Sequence, residues 1–264
     1  MKYLIYLRVI VLIINLCLRM HNLVLIIFLI VFGLSAQDSN TLYTKAISCY
    51  KNQDYNCSKK YLESCMNTNM LQKDFQMDYV HYYYFLSSLK LYNPNTEFLF
   101  KKFLKEFPLS TKRTDLIINM ASFYFEKKKF SNVVDLLEEV NLYKVPKSIR
   151  NSVFFQLGYS AFSVEKFDLA KNSFFEIINS NDVVHIEDAI FYNAIIFEKE
   201  NNYDDALVNL ESLVESESYH SEAVYQKSKI LYNNNQYSEL VNFLEPIIDI
   251  VKKNYFESLI LFLA

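Results

Sequence analysis

Glycine is almost missing from this chain of 264 residues: Gly33 and Gly158 are the only two. A GxxxxGK phosphate loop, a GxGxxG dinucleotide turn and a GxSxG nucleophile elbow each need two or more glycines within a few residues. None of them fits this chain. Proline is scarce too, with four residues. Tight β-turns draw on glycine and proline for their backbone angles, so the composition argues against a fold of many short strands. Tryptophan is absent, whereas tyrosine and phenylalanine number 21 and 22. Hydrophobic residues make up 52% and charged residues 22%, far from the composition of a disordered segment.

Acidic residues are missing up to Asp38, and residues 3–34 are apolar apart from a few breaks such as Arg8 and Arg19. The uninterrupted apolar core runs from Leu23 to Phe32 and exits through Gly33-Leu34-Ser35-Ala36-Gln37. A basic entry, an apolar core and a small-residue exit describe a secretory signal, so residues 1–36 are expected to be cut off after Ala36. The alternative is an uncleaved anchor that tethers the protein to a membrane, because about 20 apolar residues suffice to span one. Met20 is a second candidate start. Cys17 lacks the small neighbour that lipid attachment requires. In either case the basic residues stay inside and the remainder is exported, to the periplasm or facing it. Three of the 27 basic residues and none of the 30 acidic ones lie in 1–36, which leaves residues 37–264 at net −6. That balance argues against a nucleic-acid partner, which wants a basic footprint.

The exported part has a strong helical period. Across residues 116–140 apolar residues recur at three- and four-residue spacing in two blocks, split by the polar run Glu126–Lys129. Two amphipathic helices joined by a short turn are predicted, and the pattern repeats. With Ala121, Gly158, Ala194 and Ser228 as anchors, an aromatic follows at nine residues: Phe130, Phe167, Tyr203 and Tyr237. Offset twelve holds Val133, Ala170, Ala206 and Leu240, and offset sixteen holds Leu137, Phe174, Leu210 and Leu244. Offset nineteen holds Val140, Ile177, Leu213 and Ile247, and four residues before each anchor lie Ile117, Phe154, Ile190 and Val224. Ala46 opens the same template with Tyr55, Ser58, Leu62 and Cys65, and a less regular unit occupies residues 79–110. Six helix pairs are therefore expected between about residue 40 and residue 250, and Tyr255–Ala264 reads as the opening of an incomplete seventh. The expected fold is all-α, a right-handed α-solenoid over residues 37–264. Because a repeat array needs a soluble end cap, the chain is expected to be the first part of a longer protein or a truncated reading frame; the alternative is that the apolar stretch Tyr255–Ala264 docks on a partner or on its own symmetry mate.

This pattern resembles the tetratricopeptide repeat superfamily. The resemblance is strongest over residues 151–180, where Phe154, Leu157, Gly158, Ala161, Phe167, Ala170 and Phe174 occupy the signature places. The stretch Phe100 to Pro108 resembles the version found in outer-membrane assembly lipoproteins and Tol–Pal coordinating proteins. The large exported repeat proteins of Bacteroidetes are similar as well. The chain departs from the family pattern in lacking its Trp and in carrying Val133 and Leu240 where a small residue is usual. The small anchor has a physical reason: only a small side chain fits where two helices approach closely. Gly158 in mid-helix costs about 1 kcal/mol relative to Ala, a cost that such a contact would explain.

No catalytic, cofactor or metal constellation emerges. His81, His185 and His220 are scattered, with no HExxH. Asp135, Asp204 and Asp205 are placed at starts of second helices, where the helix dipole favours negative charge. Cys49, Cys57 and Cys65 stand eight residues apart, which matches no zinc pattern. Cys57 and Cys65 fall on one helix about 12 Å apart, too far for a bridge. Buried thiols are expected, with a bridge from Cys49 across the hairpin as the alternative in an oxidising compartment. Lys127-Lys128-Lys129 is expected to be a solvated turn.

The informative surface is the inner side of the first helices. Helical counting from the anchors places there Ile118, Ser122 and Phe125; Phe155, Tyr159 and Phe162; Phe191, Ile195 and Glu198; Tyr225, Lys229 and Tyr232; the first unit adds Tyr43 and Tyr50. Aromatic side chains are common interface anchors. The candidate partner-binding set is Phe125, Phe155, Tyr159, Phe162, Phe191, Tyr225 and Tyr232. The function expected is a non-catalytic protein- or peptide-binding scaffold of the cell envelope. The alternative is a sensory input domain whose output domain lies beyond residue 264.

Overall fold

The protein, described here by a computed structural model, is defined over residues 40–67, 76–180 and 183–246. All regular structure in these residues is helical. The helices are α1 (residues 40–51), α2 (Tyr55–Asn67), α3 (Met77–Lys90), α4 (Thr96–Glu106), α5 (Arg113–Glu126), α6 (Phe130–Glu138), α7 (Lys147–Ser163), α8 (Phe167–Ile178), α9 (Ile186–Lys199), α10 (Tyr203–Glu211), α11 (His220–Asn233) and α12 (Tyr237–Leu244). A short 3-10 turn, Leu142–Lys144, separates α6 from α7. The expected all-α repeat fold and six helix pairs are what these residues form. The incomplete seventh pair and the signal segment lie outside the described residues. Among the described residues no helix is long and apolar enough to cross a membrane.

Every second helix of the template begins at the aromatic nine residues past the anchor: Tyr55, Phe130, Phe167, Tyr203 and Tyr237. The turn before it follows one design. Gln53, Tyr92, Lys128, Glu165, Asn201 and Asn235 adopt left-handed backbone angles, with φ between 52 and 62°. At each, the next N–H reaches back five residues and its own N–H three: Lys129 N to Tyr124 O at 2.9 Å and Lys128 N to Phe125 O at 2.9 Å, with equal patterns at the other five. This is the paired Schellman closure that satisfies the last carbonyls of a helix. Glycine is the usual residue there because it lacks the Cβ that strains this conformation, yet none of the six positions holds one.

The chain divides into two compact units, at Leu116 and Ile117. In the first, Ala46, Leu62, Cys65 and Val80 form a buried cluster, with Tyr43, Tyr61, Tyr83 and Tyr84 packed against it. Phe85 of α3 faces Phe100 of α4 at 6.1 Å. Cys49 and Cys57 are joined by a disulfide across the α1–α2 turn, with Cα atoms 5.8 Å apart, while Cys65 is a buried free thiol. The expectation of buried thiols is therefore corrected for two of the three. A bridge of eight residues' separation spans the short turn, whereas the rise along α2 keeps Cys57 and Cys65 apart.

In the second unit each helix from α6 onward packs on the next, and α7 also touches α9. The hairpins thus lie side by side and lend one another a core. Ala121, Ala194, Val133, Ala170, Ala206, Leu137, Phe174 and Leu210 are at most 1% exposed. Gly158 shows why its place must be small. A Cβ there would stand 2.7 Å from Phe174 Cε1 and 3.1 Å from Ser173 Cβ, both on α8. Asp204 and Asp205 do occupy the first turn of α10, but Asp135 lies in the middle of α6, not at its start.

Candidate partner-binding face

Offsets from the anchors decide which first-helix side chains meet. The residue one past an anchor faces the residue two before the next: Ser122 Oγ donates to Gln156 Oε1 at 3.0 Å, and the Tyr159 and Tyr192 rings stand edge to face at 5.0 Å. Around this contact α5, α7 and α9 assemble a continuous aromatic patch. Phe125 meets Phe155 at 6.4 Å and Tyr159 at 5.7 Å, and Tyr159 meets Phe162 at 6.5 Å. Phe162 meets Tyr192 at 5.4 Å. Edge-to-face rings at such separations attract beyond their buried area. These four candidates are all half-buried, so each packs against its neighbours and still presents surface.

The other three candidates lie on α9 and α11. Phe191 joins the patch through Tyr192, at 5.6 Å, and packs on Tyr219 at 5.0 Å. Tyr225 is half-buried on α11. Tyr232 is more exposed and touches Tyr237 at 5.7 Å. Between them the lining changes character, because Lys229 Nζ pairs with Glu198 Oε1 at 2.7 Å. Of the further inward residues, Ile118 is buried in the core. In the first unit Tyr43 and Tyr50 both meet Tyr83, at 6.4 and 5.2 Å.

Several participants escaped the inward count. Phe130 and Phe167 open the second helices and close the patch from below, with Phe130 at 5.5 Å from Tyr159 and Phe167 at 6.3 Å from Phe162. Tyr192 is central, and burial beside Tyr159 and Asp188 pushes its phenol up to about 12. Its place two before an anchor is the signal that could have found it. His185 was not legible: its ring lies flat on Phe155, with centroids 4.3 Å apart and planes 7° apart. His185 Nδ1 meets Asp188 Oδ2 at 2.6 Å, and Tyr219 donates to the other carboxylate oxygen at 2.5 Å. Together with Val183, Ile186, Glu187 and Ser218 these groups line a cavity of about 410 Å3. Burial and the bond to Asp188 push the Tyr219 phenol far up.

The arrangement offers aromatic contact surface and a few polar groups. Among the described residues no group of three His, Cys, Asp or Glu could hold a metal ion. The Lys127–Lys129 run sits at the α5–α6 turn, with Lys127 over Phe123 at 5.8 Å and Lys129 over Tyr124 at 5.2 Å.

No protein-family profile and no curated protein sequence matches this chain. Solved structures do. MamA of AMB-1 aligns with a TM-score of 0.53 and 19% identity, over 68% of this chain and 92% of that one. A tetratricopeptide repeat protein from Parabacteroides merdae ATCC 43184 aligns with a TM-score of 0.52 and 14% identity, over 81% of this chain and 80% of that one. The chain has the tetratricopeptide-repeat fold.

Proposed function

We propose that the protein is a non-catalytic interaction scaffold of the bacterial cell envelope, which holds a segment of another protein on the first-helix face of its second unit. One observation carries this reading: aromatic side chains from three successive first helices meet edge to face and remain half-exposed. A core needs its rings covered, whereas an interface presents them. The Glu198–Lys229 pair beside the patch supplies a polar rim. The export reading is supported by the composition of residues 1–36 and by the Cys49–Cys57 bridge, since disulfides persist in oxidising compartments.

A photo-crosslinking residue at Phe162, Tyr225 or Tyr232 of the full chain, expressed in the native host, should yield one protein adduct common to the three. The same probe at Phe175, which is exposed on the second-helix side, should not yield it. Equal yields from both sides would refute the face. Export is read from the mature amino terminus, expected at Gln37.

A further inference from the structure

The second unit has an open groove on its other side. Leu207, Val208 and Glu211 of α10, Lys227 and Leu231 of α11, and Glu239 and Phe243 of α12 enclose about 310 Å3. Lys227 is folded down into it. Its ammonium stands 4.0 Å over the Phe243 ring and pairs with Glu211 Oε2. Glu239 accepts a bond from Gln236 Nε2 at 3.0 Å. Between the preceding hairpins an ion pair spans the matching place. There Lys171, thirteen past its anchor, bridges to Glu200 of the next hairpin at 2.7 Å. Leu207 holds the same offset from Ala194 and makes no such bridge, and Val208 beside it is 70% exposed. Of the charged residues that line it, Glu211 and Glu239 are acidic and Lys227 is basic, Lys227 being held by Glu211, and neither α10 nor α12 carries a base.

The chain itself carries the complement of this groove. On α4 Phe98 is 65% exposed, and exposed Lys101 and Lys105 follow it at three and seven residues. That spacing puts one large apolar side chain and two cations on a single helix stripe. The two units differ in charge in the same sense: residues 40–116 hold 11 basic against 7 acidic side chains, and residues 117–264 hold 13 against 22. We propose that the α10–α12 groove of one molecule takes the α4 stripe of a second copy, Phe98 entering beside Leu207 and Val208 and the lysines meeting Glu239. The contact joins two different surfaces, one from each copy. This assembly goes beyond the partner-binding reading and uses the opposite side of the hairpins.

The test uses the full chain in non-ionic detergent. A Phe98→Cys variant mixed with a Val208→Cys variant should form a disulfide-linked dimer that neither forms alone. In sedimentation, the mass should rise with protein concentration and fall with salt. Phe98→Glu and Val208→Glu should each weaken association by at least about tenfold, because each buries an unpaired charge. Both positions are exposed, so helical content should be unchanged. Lys101→Glu with Lys105→Glu should weaken it as well, and mixing that variant with Glu239→Lys should restore it. Tyr225→Ala and Tyr232→Ala should leave assembly intact, which separates it from partner binding. A wild-type chain that stays monomeric at every concentration would overturn the proposal. So would a Val208→Glu effect without a Phe98→Glu effect, which would mean that a surface other than the α4 stripe fills the groove.

Discussion

Gly158 is a position where two opposing effects can be weighed. Alanine would improve helix propensity by about 1 kcal/mol. Its methyl would also enter the space of the fully buried Phe174 ring, 2.7 Å away, and such overpacking costs about 1–3 kcal/mol. Phe174 is hemmed in by its own neighbours, Tyr192 among them, so it cannot swing aside as an exposed side chain would. Gly158→Ala should therefore lower the urea midpoint, and adding Phe174→Leu should recover part of the loss. The left-handed turn residues point the opposite way. Glu165 at φ 62° and Lys128 at φ 54° hold a conformation that glycine adopts without strain. Glu165→Gly or Lys128→Gly should stabilise by about 0.5–1 kcal/mol in equilibrium unfolding. Asn201→Gly should do less, because asparagine tolerates this region.

At the scale of the element, the hairpin was the legible object. Offsets of nine, twelve and sixteen from a small anchor gave the start of each second helix and its buried face, because a 3.6-residue period writes itself into side-chain polarity. The turns were not legible in the same way. Among the residues seven past the anchors, Asn201 and Asn235 are of a type that tolerates the left-handed region, but Gln53, Lys128 and Glu165 are not, and these three share no side-chain chemistry. Their conformation is set by backbone bonds between flanking helices, and those leave no mark on residue type. The disulfide was legible only as an alternative, since Cys65 matched a core place and Cys49 and Cys57 matched none. It encloses the α1–α2 turn, and a loop this short should gain about 2 kcal/mol from the lost freedom of the unfolded chain. Reduction, or Cys49→Ser with Cys57→Ser, should speed hydrogen exchange in α1 and α2. It should leave α7–α10 unchanged, as expected where repeats are coupled mainly to their neighbours.

For the molecule as a whole, tyrosine decides how it responds to alkali. Burial pushes the phenols of Tyr43, Tyr84 and Tyr192 up to about 12, with Tyr83 beside Tyr43, Glu63 bonded to Tyr84 and Tyr159 beside Tyr192 adding to it. Tyr82 and Tyr219 are raised further. A phenol whose folded value is raised contributes stability that is complete below its unfolded value, about 10, and is lost as pH rises toward the folded value. Helical signal should therefore hold to about pH 10 and collapse between about 10 and 12. Tyrosinate absorbance should rise together with that collapse. Complete tyrosinate formation with the helices intact would contradict the packing. The same residues mark what the chain alone could say about the binding face. The inward count reached Phe125, Phe155, Tyr159 and Phe162 because one helix face repeats at fixed offsets. Tyr192 and His185 join them through contacts between hairpins, and a count along single helices does not contain those.

Hairpins that look alike in this protein are not exchangeable parts. Ala121 and Ala194 carry leucines, Leu137 and Leu210, sixteen positions on, whereas Gly158 carries Phe174. A crossover that imports an alanine-anchored first helix while retaining α8 would create a clash, and the converse would leave a void. Recombination or shortening of the array should thus move residues 158–174 as one block, with breakpoints in the connections between hairpins.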